Sequence, residues 1–304
     1  MYNKLKLENT KNRLYHIFNF FLLVLISVSH SFAGFEPEDK IKEVPIYIVD
    51  AFTEERFKGN PAAVCPLSEW LDDDLLQSIA SENNLSETAF FVKNGDIYEL
   101  RWFTPKVEVD LCGHATLASA HILFEHLGHK NAQIVFETKS GRLTVKRNKE
   151  LYLMDFPAIN TTPEKSPKIL EQCLGEKPTE VLMGPGLYLV VFDNEELIKG
   201  IDPDFNLMED LKKDVIVTAR GHDGKDFVSR CFAPHLGIPE DPVTGYAHCV
   251  LAPFWAGRLG KTTFYAQQLS KRGGELYCEY TGDRVIIGGK AVTFSLGRII
   301  LEKD

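Results

Sequence analysis

An internal repeat constrains the fold of this 304-residue chain more than any other feature. Arg101-Trp102-Phe103-Thr104-Pro105 leads to a segment running from Gly113-His114-Ala115 to Leu127-Gly128. Arg230-Cys231-Phe232-Ala233-Pro234 leads to a segment running from Gly245-Tyr246-Ala247 to Leu259-Gly260. Both glycine-to-glycine segments are 16 residues long, and Ala120 and Ala252 fall in register. Self-similarity of this kind calls for two related structural units. A helix opened by glycine offers free backbone N–H groups and a positive dipole end. Two such ends facing one cleft would hold a small anion. Chance similarity between short apolar segments is the competing explanation. Hairpin signals upstream of each copy, Lys93-Asn94-Gly95-Asp96 and Gly221-His222-Asp223-Gly224, favour duplication.

The length suits two domains, and 44% hydrophobic with 25% charged residues is ordinary for a folded protein. A net charge of -9 argues against a nucleic-acid surface, while a local basic patch can still serve an anionic substrate. The six cysteines, at 65, 112, 173, 231, 249 and 278, show no CxxC spacing and read as reduced thiols of a cytoplasmic protein rather than a disulfide framework. The N-terminus points elsewhere. Lys4, Lys6, Lys11 and Arg13 precede an uncharged stretch from Ile17 to Phe35, with small residues Ser31 and Ala33 near its end. This is the pattern of a secretory signal or membrane tether acting through residues 17–33, with a buried helix as the plain alternative. Residues 1–43 are therefore set apart as an N-terminal extension.

The remainder divides into an N-terminal half over 44–160, a linker over 161–180 and a C-terminal half over 181–304. Strands are expected at Val44–Ala51, Ala62–Cys65, Thr88–Val92, Ile97–Phe103, Ile134–Phe136, Arg142–Arg147 and Leu151–Phe156. In the second half they are expected at Tyr188–Phe192, Val215–Ala219, Phe227–Phe232, Glu275–Tyr280, Arg284–Ile287 and Ala291–Leu301. Helices are expected over Asp72–Ser81, Gly113–Leu127, Lys168–Cys173 and Gly245–Gly257, the last bent or cut short by Pro253. Gly59-Asn60-Pro61, Gly184-Pro185-Gly186 and Gly288-Gly289 read as turns. The fold class is α+β: two similar domains related by pseudo-twofold symmetry, each a largely antiparallel sheet wrapped round a central helix.

Several residues carry the types that proton chemistry needs. Glu87 stands at the mouth of the apolar strand Thr88-Ala89-Phe90-Phe91, where partial desolvation raises a carboxyl pKa; a solvent-facing junction residue is the plain alternative. His114, at a helix start, is expected to be a neutral imidazole because the dipole disfavours its cation. Cys112 sits where a helix N-terminus lowers a thiol pKa, unless it is simply a small buried apolar residue. Asp241 precedes the second helix, either as a turn former or placed towards a substrate, and Thr244 is a candidate cap. His121, His126 and His129 lack metal-ligand spacing and read as satisfied or surface residues. No phosphate-binding loop or dinucleotide fingerprint appears.

Five segments in order resemble the PhzF-like family of phenazine biosynthesis, whose fold is similar to diaminopimelate epimerase. They are Asp50-Ala51-Phe52 with Gly59-Asn60-Pro61; Leu85-Ser86-Glu87-Thr88; Leu111-Cys112-Gly113-His114-Ala115-Thr116; Glu240-Asp241-Pro242-Val243-Thr244-Gly245; and Gly288-Gly289-Lys290-Ala291-Val292. The resemblance spans about Ile46 to Leu301. It implies a cofactor-independent, metal-free isomerase, commonly a homodimer, that moves a proton on a small carboxylated metabolite. Glu87 would be the general acid/base. Asn60, Gly113, His114, Asp241, Thr244, Gly245 and Tyr246 would line the substrate site. Two departures stand out: the family usually has Ser where this chain has Tyr246, and the N-terminal extension is unusual. A two-base racemase or epimerase would use Cys112 as a second acid/base, but Thr244 occupies the matching place. A non-catalytic metabolite-binding protein is the third reading, motivated by Tyr246.

Overall fold

The computed structural model describes residues 42–301; the signal-like stretch at 17–33 lies outside the described residues. Val44–Ile299 form one compact unit. Its first run of elements is β1 (Lys42–Ala51), β2 (Asn60–Leu67), α1 (Asp73–Asn83), β3 (Glu87–Asn94), β4 (Ile97–Phe103), β5 (Glu108–Val109), α2 (Gly113–Glu125), β6 (Gln133–Thr138), β7 (Gly141–Asn148) and β8 (Leu151–Pro157). The second is β9 (Thr162–Pro163), α3 (Lys168–Leu174), β10 (Glu180–Gly184), β11 (Leu187–Val191), α4 (Glu195–Gly200), α5 (Phe205–Glu209), β12 (Asp214–Arg220), β13 (Phe227–Ala233), β14 (Ile238–Asp241), α6 (Gly245–Leu259), β15 (Thr263–Gln268), β16 (Gly274–Tyr280), β17 (Arg284–Gly289) and β18 (Ala291–Leu301).

The repeat seen in the sequence is a repeat of strand pairing. Along β1-β2-β3-β4-β6-β7-β8 successive pairs are antiparallel, parallel, antiparallel, parallel, antiparallel and antiparallel. Along β10-β11-β12-β13-β15-β16-β17 the series is the same. The two runs join through antiparallel β8 and β17, with Met154 opposite Ile287. The expected α+β architecture of two similar halves, each built round a glycine-led helix, is therefore present.

The Arg-x-Phe repeat has a physical cause. Arg101 donates from Nε and Nη2 to the two carboxylate oxygens of Glu108 at 2.7 and 2.9 Å. Arg230 does the same to Glu240 at 2.7 and 3.0 Å. Each guanidinium lies over the Phe two residues on, Phe103 or Phe232, at 5.1 or 5.0 Å. A bidentate fork of this kind fixes direction as well as distance. Glu108 and Glu240 each stand five residues before a helix-opening glycine, so each fork holds the lead-in to one helix start. Both helices share one apolar core, with Leu117, Ile122 and Leu123 from α2 and Val250, Leu251 and Trp255 from α6. A second core lies under α3–α5, where Leu170, Ile198 and Met208 pack on Val190, Val215 and Val217.

Four local expectations need correction. Asn60 and Pro61 belong to β2 rather than to a turn. Gly288 and Gly289 lie within β17; a Cβ on Gly289 would come within 2.4 Å of the Phe52 ring, so that glycine makes room for an aromatic. Helix α6 runs past Pro253 to Leu259. Proline leaves the Cys249 carbonyl without its intrahelical donor, and the Ile159 N–H supplies one at 3.0 Å. Strands β10 and β15 and helices α4 and α5 were not expected. The two short helices are set by side-chain caps, Asn194 accepting from Leu197 N and Asp204 from Leu207 N, both at 3.0 Å. Among the described residues no helix is long and apolar enough to cross a membrane. All six cysteines are buried and unpaired.

Candidate active site

The two glycine-led helices meet at their starts. A Cβ on Gly113 would lie 3.8 Å from Gly245 Cα, and one on Gly245 would lie 3.9 Å from Gly113 Cα and 3.8 Å from the Phe52 ring. A Cβ at either position would make only ordinary contacts, so the closeness of the two starts comes from how the helices pack. First-turn N–H groups lack intrahelical partners, so the junction concentrates donors and positive dipole ends.

Beside this junction lie the polar residues singled out in the sequence. Glu87 opens β3 and is 9% exposed; His114, the second residue of α2, is 6% exposed. His114 Nε2 stands 3.2 Å from Glu87 Oε2. The approach is off the hydrogen-bonding line, so neither atom has an aligned partner. The other ring nitrogen faces Cys112 Sγ at 3.5 Å and Asn60 Nδ2 at 3.3 Å. Asn60, fully buried, spends its two amide protons on Asp241 Oδ1 at 2.8 Å and the Val243 carbonyl at 2.9 Å. Its Oδ1 has no partner in the protein. Thr244 donates its hydroxyl to Asp241 Oδ2 at 2.5 Å. Asn60, Asp241 and Thr244 are thus hydrogen-bonded across both halves, and the Glu87–His114 pair lies in contact with Asn60.

Burial and charge set the proton affinities. Burial alone would lower the His114 pKa; the Cys112 sulfur and the Glu87 carboxylate outweigh it and carry the imidazole well above its ordinary value. This reverses the expectation of a neutral ring, because a full charge about 3 Å away outweighs the partial charge of a helix start. The Cys112 thiol is pushed up, by burial first and by Glu87 second, with His114 opposing. A helix N-terminus does not produce a reactive thiolate in this setting. Asp241 is raised to about 6, chiefly by burial, with the Glu87 charge adding and His114, Thr244 and Asn60 opposing.

The carboxylate of Glu87, the thiol of Cys112 and a ring nitrogen of His114 lie within 4.8 Å of one another, a spacing a metal ion would accept. The thiol faces Nδ1 and the carboxylate faces Nε2. The ring is thus engaged on both edges, and the thiol favours its protonated form, so the set suits proton handling better than ligation.

Tyr246 follows Gly245 and, at 37% exposed, stands at the edge of this buried network. It donates to the Pro185 carbonyl at 3.2 Å. Thr244 makes no side-chain cap to its helix; its hydroxyl is spent on Asp241. One participant was missed in the sequence. Gln268, fully buried at the end of β15, accepts from Thr244 N at 2.9 Å and donates to the Asp241 carbonyl at 2.7 Å and Thr244 Oγ1 at 3.1 Å. The only signal was alternation: Phe264, Ala266 and Gln268 share the buried face, and an amide there needs a polar reason. His121 and His126 both meet Thr293 Oγ1, at 2.9 and 2.8 Å, and are satisfied residues outside the site.

Residues 49–297 match the family profile described as phenazine biosynthesis-like protein, PhzC-PhzF. The chain is 50% identical over 260 residues to an uncharacterized isomerase of Pseudomonas aeruginosa, covering 85% of this chain and 99% of that one. It is 40% identical over 282 residues to the human phenazine biosynthesis-like domain-containing protein, covering 82% of this chain and 97% of the other. A crystal structure of a PhzF-family phenazine biosynthesis protein from Enterococcus faecalis superposes with a TM-score of 0.83 at 49% identity, covering 86% of this chain and all of the other.

Proposed function

We propose that this chain, which belongs to the phenazine biosynthesis-like PhzC-PhzF family, is an isomerase that moves a proton between two positions of a small carboxylated metabolite. The substrate carboxylate would sit against the first-turn N–H groups at the Gly113–Gly245 junction. Glu87 would take a proton from one carbon and return it to another on the same molecule, so no net oxidant, reductant or water is consumed. His114, whose ring nitrogen stands 3.2 Å from the Glu87 carboxyl, would orient that carboxyl while it takes the proton, carries it and gives it back. Asp241 would hold Asn60 and Thr244 in place. The observation that carries the reading is the pairing of the buried Glu87 carboxylate with His114 at 3.2 Å, one residue from the glycine junction. General acid/base catalysis contributes about 10² to 10⁴ in rate.

The test is deuterium incorporation from D₂O into a panel of small carboxylates, followed by mass spectrometry. The native protein should label and isomerise at least one of them. Glu87→Gln should lower the rate by about 10² to 10⁴ while retaining ligand binding by calorimetry. Unchanged turnover in that variant sinks the assignment. The two-base thiol alternative has less support, since Thr244 occupies the place of Cys112 in the second half and the Cys112 thiol favours its protonated form.

A further inference from the structure

The hydrogen bonds around the Asp241 carboxylate have their directions fixed by backbone groups. The Val243 carbonyl can only accept, so the Asn60 amide nitrogen faces it at 2.9 Å, and the same nitrogen donates to Asp241 Oδ1 at 2.8 Å. The Thr244 N–H can only donate, so the Gln268 amide oxygen faces it at 2.9 Å. That turns the Gln268 nitrogen towards the Asp241 carbonyl at 2.7 Å and Thr244 Oγ1 at 3.1 Å. Thr244 Oγ1 therefore accepts from Gln268, and its own proton goes to Asp241 Oδ2 at 2.5 Å. Both carboxylate oxygens are left as acceptors.

The duplication separates Gln268 from the shared scaffold. Phe227 and Tyr98 each stand five residues before the Phe of their Arg-x-Phe motif. Phe227 pairs with Ala266 and Tyr98 with Phe136, so Gln268 corresponds to Thr138. Two residues further on, both halves brace the lead-in to the helix alike. Ser140 donates to the Asp110 carbonyl at 2.8 Å and Ser270 to the Pro242 carbonyl at 2.7 Å, each carbonyl three residues before a helix-opening glycine. Thr138 turns instead to the Gly141 carbonyl at 2.7 Å. The serine brace is common to both halves. The buried amide occurs only where Asp241 has taken the place of Val109.

We propose that Gln268 is a positioning residue: by fixing the direction of the Thr244 hydroxyl it holds Asp241 as a double acceptor, so that Asp241 anchors the site as an anion and passes no proton itself. The anchoring role deepens the isomerase reading and rests on it; the hydrogen-bond direction stands without it. Burial opposes the Asp241 charge, as does Glu87 on β3, while His114 on α2 favours it. The Cys231 thiol, opposite Asp241 on β13, is pushed up by burial first and by Asp241 second. Protonating Asp241 at Oδ2 would strand the Thr244 hydroxyl proton, because Gln268 offers that oxygen only a donor. Losing one hydrogen bond to a charged group moves a carboxyl by about one pH unit or more.

The test follows the Asp241 carboxyl by carbon-13 NMR in the full chain, with the resonance assigned through Asp241→Asn. The native midpoint should lie at about 6. Gln268→Met should raise it by about one pH unit. Thr244→Val should raise it about as much, and adding Gln268→Met to Thr244→Val should raise it no further. Thr244→Ser keeps the hydroxyl and should keep both the native midpoint and its dependence on Gln268. A midpoint unmoved by Gln268→Met, or an effect of that change undiminished beside Thr244→Val, overturns the proposal. The native protein supplies a check that no folding defect can spoil. Overhauser contacts should place the Gln268 amide protons beside the Thr244 side chain, and contacts to the Thr244 N–H in their stead overturn the proposal too. In the deuterium-exchange assay, Gln268→Met should begin to lose rate about one pH unit higher on acidification than the native protein. An unshifted profile beside a moved midpoint removes the anchoring role. Absence of exchange in the native protein removes the proton-transfer reading and leaves the NMR result standing.

Discussion

The two halves share a scaffold and differ in what they hang on it. Each positions its helix start with an Arg–Glu fork, and each returns a side chain to the carbonyl before its glycine: Thr116 Oγ1 to Cys112 at 2.5 Å in one, His248 Nδ1 to Thr244 at 2.8 Å in the other. The scaffold demands a donor there, and two unlike residues supply it. The side chains around the two helix starts diverge. Where the first half has Val109 opposite Trp102, the second has Asp241 opposite Cys231. Where the first has Cys112 and His114, the second has Thr244 and Tyr246. Duplication preserves what holds the backbone; divergence concentrates where side chains meet at the junction. The two sides of the junction therefore differ chemically, with the Glu87–His114 pair on one and the Tyr246 phenol on the other.

The comparison breaks most visibly at the two carboxylates. Glu87→Gln should reduce isotope exchange by about 10² to 10⁴, whereas Asp214→Asn, at the matching strand start of the second half, should leave more than a tenth of the exchange rate at saturating substrate. Equal losses would mean that the halves share the chemistry. The forks come next. Arg230 is 9% exposed and also donates to the Ile198 and Ile201 carbonyls at 3.1 and 2.6 Å. Removing it strands Glu240 and two carbonyls, so Arg230→Ala should cost about 3–5 kcal/mol in urea unfolding. Arg101 binds Asp73, whose side chain is 75% exposed, and Arg101→Ala should cost clearly less.

Asp241 sharpens the contrast with Val109 through pH. Its native pKa of about 6 lies above the ordinary 3.8, so the folded state holds this proton more tightly than the unfolded chain. The resulting stability is full below about pH 4 and is lost as pH rises through about 6. A two-unit shift corresponds to roughly 2–3 kcal/mol. The urea midpoint of Asp241→Asn should therefore fall less than that of the native protein between pH 4 and 7; parallel curves would show that Asp241 does not titrate in this way. The smallest effect is expected at the shared helix contact. Thr116→Val should cost about 1 kcal/mol, because the Cys112 carbonyl keeps the Thr116 N–H at 3.2 Å.

Much of this was legible in advance, for identifiable reasons. The repeat, the hairpins and the helix starts declare themselves through glycine spacing and apolar periodicity, which are local properties. Glu87, His114 and Asp241 were singled out as polar residues at the edges of apolar elements, each with a plain reading beside it, and only the family resemblance drew them into one site. Gln268 was not, since nothing near it in the chain marks it; its partners Asp241 and Thr244 are more than 20 residues away. Gly289 misled as a turn residue because its role, admitting the Phe52 ring, is made by a residue more than 200 positions distant. Pro253 misled in the same way, its cost being met by Ile159.

Local chemistry written along the chain was enough to require two similar α+β units with glycine-opened helices, since backbone preference and side-chain periodicity act over a few residues. Whether those openings met, and what charge each buried group would carry, was not a local matter. The His114 proton shows why: an isolated helix start would keep the ring neutral, and the Cys112 sulfur together with the Glu87 carboxylate, which folding brings to 3.2 Å, carries it the other way. Electrostatic energies in a buried site depend on distances between residues far apart in sequence, and those distances exist only once the halves have closed on each other.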